Sequence, residues 1–189
     1  EGLHPFYLSR QRQLYDLKIF IKPDASLSQH WKITRDIVKR GYSKEKILQI
    51  LQAREEDSKN FIESQSQYAD IIISPRSLNP ISNIGDAAES IEIAFDLLMS
   101  NSIYLEHVIE DLHPIEGLTL SQSYLDDDKQ KISINGEISS NEIAVIANNH
   151  IPGLFDLGVD YPEWPKDAFG VTVLILIYSI FEAAEYGKE

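Results

Sequence analysis

Apolar residues first gather in the short run Leu17-Lys18-Ile19-Phe20-Ile21, closed off by Asp16 on one side and Lys22-Pro23-Asp24 on the other. That length and those flanks suit a buried strand. The period then changes. Leu27, Trp31, Thr34 and Val38 recur near helical spacing, Asp24 stands where an N-cap accepts from the first turn, and Gly41 supplies a stop, which predicts a helix over about 25–40. Ser43 caps a second helix whose face of Ile47, Leu48, Ile50 and Leu51 runs on towards Arg54. Glu55-Glu56-Asp57 leads into a third helical stretch to about Ser66. Asp70-Ile71-Ile72-Ile73-Ser74 reads as another buried strand, closed by Pro75. Strand, helices, strand is the order of a parallel sheet with a crossover connection.

Character changes after Pro75. Asn79-Pro80, Ser82-Asn83 and Gly85-Asp86 make a loop, and shorter strands follow at Glu89–Met99, Ile103–Ile109, Gly117–Tyr124 and Lys131–Ile134. Ser139 begins a helix through Ile146, and a Pro- and Gly-rich loop from His150 to Pro165 leads to a terminal helix from about Lys166 to Tyr186. The chain therefore divides into residues 1–75, with parallel α/β character, and residues 76–189, a mixed or antiparallel extension ending in a helix.

Composition adds little to the fold but narrows the chemistry. At 189 residues and 43% hydrophobic composition the chain can bury a core, and without cysteine it forms no disulfide or thiolate metal site, which suits a cytoplasmic protein. The apolar stretch Phe169 to Phe181 is shorter than the roughly 20 residues of a membrane span and reads as a buried core helix. The formal charge of −13 is uneven, because residues 1–75 hold 12 Lys+Arg against 10 Asp+Glu and residues 76–189 hold 5 against 20. Nucleic-acid and membrane partners are disfavoured, while a small phosphate-bearing ligand near the first segment fits.

The informative motifs lie in that first segment. They are Glu1-Gly2-Leu3-His4-Pro5, then Trp31-Lys32-Ile33-Thr34-Arg35-Asp36-Ile37-Val38-Lys39-Arg40-Gly41, then Gln52-Ala53-Arg54-Glu55-Glu56-Asp57. Phe61-Ile62-Glu63-Ser64-Gln65 and Tyr68-Ala69-Asp70-Ile71-Ile72-Ile73 complete the set. Guanidinium groups carry fixed, forked donors suited to phosphate oxygens, and Arg35, Arg40 and Arg54 supply three of them. On a helix Asp36 and Arg40 share a face, while Arg35 points about 100° away from Asp36.

In order and spacing these segments resemble the phosphoribulokinase and uridine kinase family, phosphoribulokinases most closely, over about residues 1–75. The resemblance implies part of a P-loop kinase parallel sheet with a helical lid. It implies Arg35 and Asp36 as the catalytic pair, Arg40 and Arg54 in a lid closing over ATP, His4 near a sugar phosphate, and Glu1 as the carboxylate that helps hold magnesium. Ordinary solvated arginines at 40 and 54, and a structural histidine at 4, are the competing readings.

No stretch of the sequence matches the family's glycine-rich loop ending in Gly-Lys-Ser/Thr. The expectation is thus the carboxy-terminal part of an ATP-dependent kinase for ribulose 5-phosphate, inactive alone, in a homodimer or larger homo-oligomer. A nucleoside kinase for uridine, or a non-catalytic interaction module, are the alternatives. His107, His113 and His150 lack the spacing of a zinc motif, Asp126-Asp127-Asp128 reads as a solvated turn, and Tyr161 with Trp164 belongs to a loop capping the final helix.

Overall fold

A computed structural model describes residues 1–154 and 163–186 of the chain, the side chains of Glu185 and Tyr186 excepted; Tyr161 lies outside the described residues. The chain forms two compact units, Glu1–Ile93 and Ala94–Glu189.

The first unit is built on a parallel pair. After a short helix α1 (Ser9–Arg12), β1 (Ile19–Ile21) pairs with β2 (Ile71–Ser77) in the register Ile19↔Ile71, Phe20↔Ile72 and Ile21↔Ile73. The crossover carries α2 (Ala25–Arg40), α3 (Lys44–Ala53) and α4 (Glu55–Asp57), followed by a π-helical turn Ser58–Ile62 and a 3-10 turn Glu63–Tyr68. The expected third helix is thus broken into pieces.

The local signals act as expected in α2 and α3. Asp24 Oδ1 accepts the Leu27 amide at 2.7 Å, Gly41 closes α2 at φ 65°, and the Ser43 hydroxyl accepts the Lys46 amide at 3.3 Å. Leu27 and Ile33 of α2 and Ile47 of α3 are buried. Pro75, expected to end β2, does not: its carbonyl accepts the Asp24 amide at 2.9 Å, and Asp24 Oδ2 takes the Ser77 amide at 2.9 Å. The strand is continued by partners that a proline still permits.

The segment after Ser77 folds back on α2. The Gly85 amide donates to Nδ1 of buried His30 at 3.2 Å, and Lys44 Nζ donates to the Ile84 carbonyl at 2.7 Å. Glu89, expected in a strand, instead holds a loop by accepting from the Ser82 amide at 3.1 Å and Asn83 Nδ2 at 3.2 Å. The next strand therefore begins only at Ile93.

The second unit is antiparallel. β3 (Ile93–Ser100) pairs with β5 (Lys129–Gly136), and β5 pairs with β4 (Leu118–Tyr124), the latter two joined by a hairpin turn through Asp126-Asp127-Asp128. Between β3 and β4 the expected strand Ile103–Ile109 is wrong: the chain forms α5 (Glu106–Leu112). Leu105, Val108, Ile109 and Leu112 are buried, a spacing that lines one helical face and no strand face.

α6 (Ser140–His150) opens on a full capping box between Ser139 and Glu142 and runs past the expected end at Ile146. α7 (Asp167–Tyr186) packs against α6 and β5 through Ala168, Val171, Leu174 and Ile175. Over Asp167–Ala184 it is long and apolar enough to cross a membrane, with mean hydropathy 1.7, more than the stretch counted from sequence; Val171, Leu174 and Ile175 are buried, while Phe169 and Ile180 are exposed.

Candidate functional site

The helical phase of α2 brings Arg35, Asp36 and Arg40 together. Asp36 is 8% exposed, and its carboxylate accepts from Arg35 Nε at 2.8 Å and from Arg40 Nη1 at 3.4 Å. Arg40 reaches it from one turn on, as spacing requires. Arg35 does so by bending back across the roughly 100° that separates consecutive helical positions, so one carboxylate collects both guanidinium groups.

Those guanidinium groups remain half-exposed, at 50% for Arg35 and 55% for Arg40. The hydrogen bond from Arg35, aided by the positive charge of Arg35 and Arg40 and opposed by partial burial, holds the Asp36 carboxyl below the usual carboxylate range. The same bond raises the already high value of Arg35. Arg35 uses only Nε on Asp36, which leaves its two terminal nitrogens with no hydrogen-bond partner among the described residues.

The segment at the other end of the motif set is positioned differently. Glu1 is exposed, and His4 is exposed with its ring edge-on to Tyr7 at 6.2 Å between centroids. Phe6 anchors this stretch in the core. Gln65, 1% exposed, accepts the Phe6 amide at Oε1 (2.9 Å) and donates from Nε2 to the carbonyls of Leu3 (2.9 Å) and Phe61 (2.6 Å). Arg12 Nη1 donates to the carbonyls of Phe6 (2.7 Å) and Tyr7 (3.1 Å).

Sequence reasoning missed both holding residues. Gln65 stood inside a quoted motif, but only its burial against a segment about sixty positions earlier reveals what it does. Arg54 ends α3 exposed, with its backbone amide bonded to Ile50 and Leu51 at 3.2 Å and no ion pair for its side chain among the described residues. Among the described residues, no hydrogen bond or ion pair joins Glu1, His4 or Arg54 to the Arg35–Asp36–Arg40 cluster.

The donor set fits phosphate. Two half-exposed guanidinium groups fixed on one carboxylate present planar forks of the kind that bind phosphate oxygens. For magnesium, which asks for one or two carboxylates and completes its shell with phosphate and water, exposed Glu1 is one suitable hard-oxygen ligand. Among the described residues no group of three or more His, Asp or Glu gathers to hold a metal ion. Of the scattered histidines, His150 bonds Asp111 at 2.8 Å from α6 to α5, and His107 lies 3.6 Å from Glu110 on α5 itself.

Residues 1–82 match the model of the Phosphoribulokinase / Uridine kinase family. The phosphoribulokinase of Synechocystis sp. is 42% identical over 73 residues, 39% of this chain and 22% of that protein. The chloroplastic phosphoribulokinase of Triticum aestivum is 42% identical over 87 residues, 45% of this chain and 22% of that protein. A uridine kinase of Macrococcus caseolyticus is 37% identical over 82 residues, 43% of this chain and 40% of the relative. The match thus spans about a fifth of the length of these phosphoribulokinases. The solved phosphoribulokinase from Rhodobacter spheroides superposes with a TM-score of 0.52 at 19% identity, covering 93% of this chain and 52% of that one. The likeness in fold, that of a P-loop kinase, therefore runs on well past residue 82, where the sequence match stops. Over its first 82 residues the chain is thus similar to the phosphoribulokinase and uridine kinase family.

Proposed function

We propose that the protein containing these residues is an ATP-dependent kinase that phosphorylates a hydroxyl of a sugar phosphate, ribulose 5-phosphate first among candidates. The observation that carries this reading is the pair of half-exposed guanidinium groups held on the buried Asp36 carboxylate. The higher identity to phosphoribulokinases, 42% against 37% for a uridine kinase, supports the sugar phosphate over the nucleoside.

In the reaction a substrate hydroxyl oxygen forms a bond to the γ-phosphorus of ATP, the bond from that phosphorus to the β-bridging oxygen breaks, and the hydroxyl proton passes to a base. Bound magnesium supplies neutralisation of phosphate charge, and Glu1 is the residue here that would help hold it. Arg35 turns its free terminal nitrogens to the transferring phosphoryl oxygens, where charge spreads as the bonds change. Asp36 positions Arg35 and Arg40, so the donors are oriented before substrate arrives. Arg40 and Arg54 face the nucleotide phosphates, and His4 serves the phosphate of the sugar. No stretch of these 189 residues matches the glycine-rich phosphate loop, so in this reading the loop and the base come from elsewhere in the protein and the segment alone is inactive. A cytoplasmic location and a homodimeric or larger assembly complete the proposal.

The test is turnover of the full-length protein with MgATP and either ribulose 5-phosphate or uridine. Use of the sugar phosphate is expected, and uridine phosphorylation without it would overturn the substrate. Arg35→Ala should lower kcat by about 10²-fold or more with an unchanged melting temperature, because an exposed arginine contributes little to folding. A lower melting temperature with unchanged kcat would remove Arg35 from the site.

A further inference from the structure

The turn that carries His4 does not hold itself. Pro5 occupies its second position, where a fixed φ favours a turn, yet the local bond from the Tyr7 amide to the His4 carbonyl is long, at 3.4 Å. The shorter bonds come from side chains distant in sequence. Gln65 grips the backbone on both sides of the His4-Pro5 pair, at the Leu3 carbonyl and the Phe6 amide, each at 2.9 Å. Its Nε2 also donates to Phe61, so the amide spends both protons and one acceptor site on backbone groups, within a buried setting that strengthens each bond.

Arg12 closes the far side of the same turn through the Phe6 and Tyr7 carbonyls. Its guanidinium lies 3.8 Å over the ring of Tyr68, which shares the 3-10 turn of Gln65. The two grips therefore rest on one short element. The imidazole of His4 itself is exposed, with Tyr7 as its ring contact, so its place in space follows from where the backbone is held.

We propose that Gln65, backed by Arg12, is a positioning residue that fixes the His4 turn and thereby sets how tightly the sugar phosphate is bound. This rests on the reading above that His4 serves that phosphate. A glutamate would not replace Gln65, because a carboxylate accepts from Phe6 but donates to neither Leu3 nor Phe61.

The experiment compares wild type, Gln65→Met, His4→Ala and the double variant in the full-length protein, with Arg12→Met as a second perturbation that leaves the buried site intact. Gln65→Met is expected to raise KM for ribulose 5-phosphate about tenfold, with kcat and KM for ATP within about twofold. The same change in the His4→Ala background should add nothing, since a residue acting through His4 has no further effect once His4 is gone. Arg12→Met should give a smaller rise of the same kind. Exchange of the Phe6 amide, followed by hydrogen exchange, should quicken by at least about tenfold in Gln65→Met.

An unchanged KM in an active enzyme, an equal rise with and without His4, or a joint loss of kcat and both KM values would each overturn the positioning role. If Gln65→Met does not fold, the KM effect of Arg12→Met, present or absent, decides it. A wild type inactive on the sugar phosphate overturns the substrate reading instead, and Phe6 exchange then decides the clasp alone.

Discussion

Replacing Asp24 by alanine removes one carboxylate that starts α2 and ties it to the end of β2. Oδ1 accepts the Leu27 amide at 2.7 Å and the Ser26 hydroxyl at 2.7 Å, while Oδ2 accepts the Ser77 amide at 2.9 Å. Loss of the N-cap costs about 1 kcal/mol. The Ser77 amide, left without that acceptor, adds about 1 kcal/mol more. For a unit of this size each kcal/mol lowers the melting temperature by roughly 4–8 °C, so Asp24→Ala should melt about 8–16 °C below wild type. Asp24→Asn keeps a capping oxygen and loses the second acceptor, and should fall near the middle.

The effect has a pH signature. Partial burial works to raise the Asp24 carboxyl, but the hydrogen bonds from Leu27, Ser26 and Ser77 outweigh it and leave the folded value lowered. A lowered folded pKa means stability that is fully present above the ordinary carboxylate range and is lost as pH falls through the folded value. The gap between wild type and Asp24→Ala should therefore be full near neutrality and close in acid. Thermal unfolding by circular dichroism from about pH 3 to 7, with hydrogen exchange of the first turn of α2, measures both. A melting point within a degree or two of wild type at neutrality, or a gap that does not change with pH, would refute the reasoning. Arg35 lies about three turns beyond the cap in α2, so kcat of folded Asp24→Ala should stay within about twofold of wild type.

Asp36→Asn should lower kcat about 10²-fold, because a neutral amide holds neither Arg35 nor Arg40 as the carboxylate does, and a misplacement near 1 Å has that cost. Since Asp36 titrates below the usual carboxylate range, wild-type activity should show no acid loss from this residue above about pH 5; a break there that disappears in Asp36→Asn would contradict the pairing. In the second unit, a Cβ at Gly170 would collide with the Pro165 carbonyl and with Cδ1 of Ile143, so Gly170→Ala should destabilise that unit by about 1–3 kcal/mol in denaturant unfolding. An unchanged midpoint would mean that the start of α7 has room to shift.

Much of the first unit was legible in the chain because its determinants act over a few residues. Asp24, Gly41 and Ser43 mark helix ends through bonds that span three or four positions and form as expected, and a helix starts at Ser139 as expected, there with a Glu142 capping box. The closeness of Asp36 and Arg40 is likewise a property of one helical turn. The parallel pairing of β1 with β2 follows from two apolar runs separated by helices.

The rest needed the folded chain. Whether Leu105, Val108, Ile109 and Leu112 lie on a strand or a helix is settled by which face finds a core, and the apolar run alone carries both possibilities. Pro75 continues β2 because Asp24, remote in sequence, bonds on either side of it. Arg35 joins Arg40 on Asp36 through a rotamer that no spacing dictates, and Gln65 holds the His4 turn across some sixty residues. Sequence determines what neighbours along the chain do to each other; contacts between distant segments exist only once burial brings them together, and it is there that the His4 turn is held.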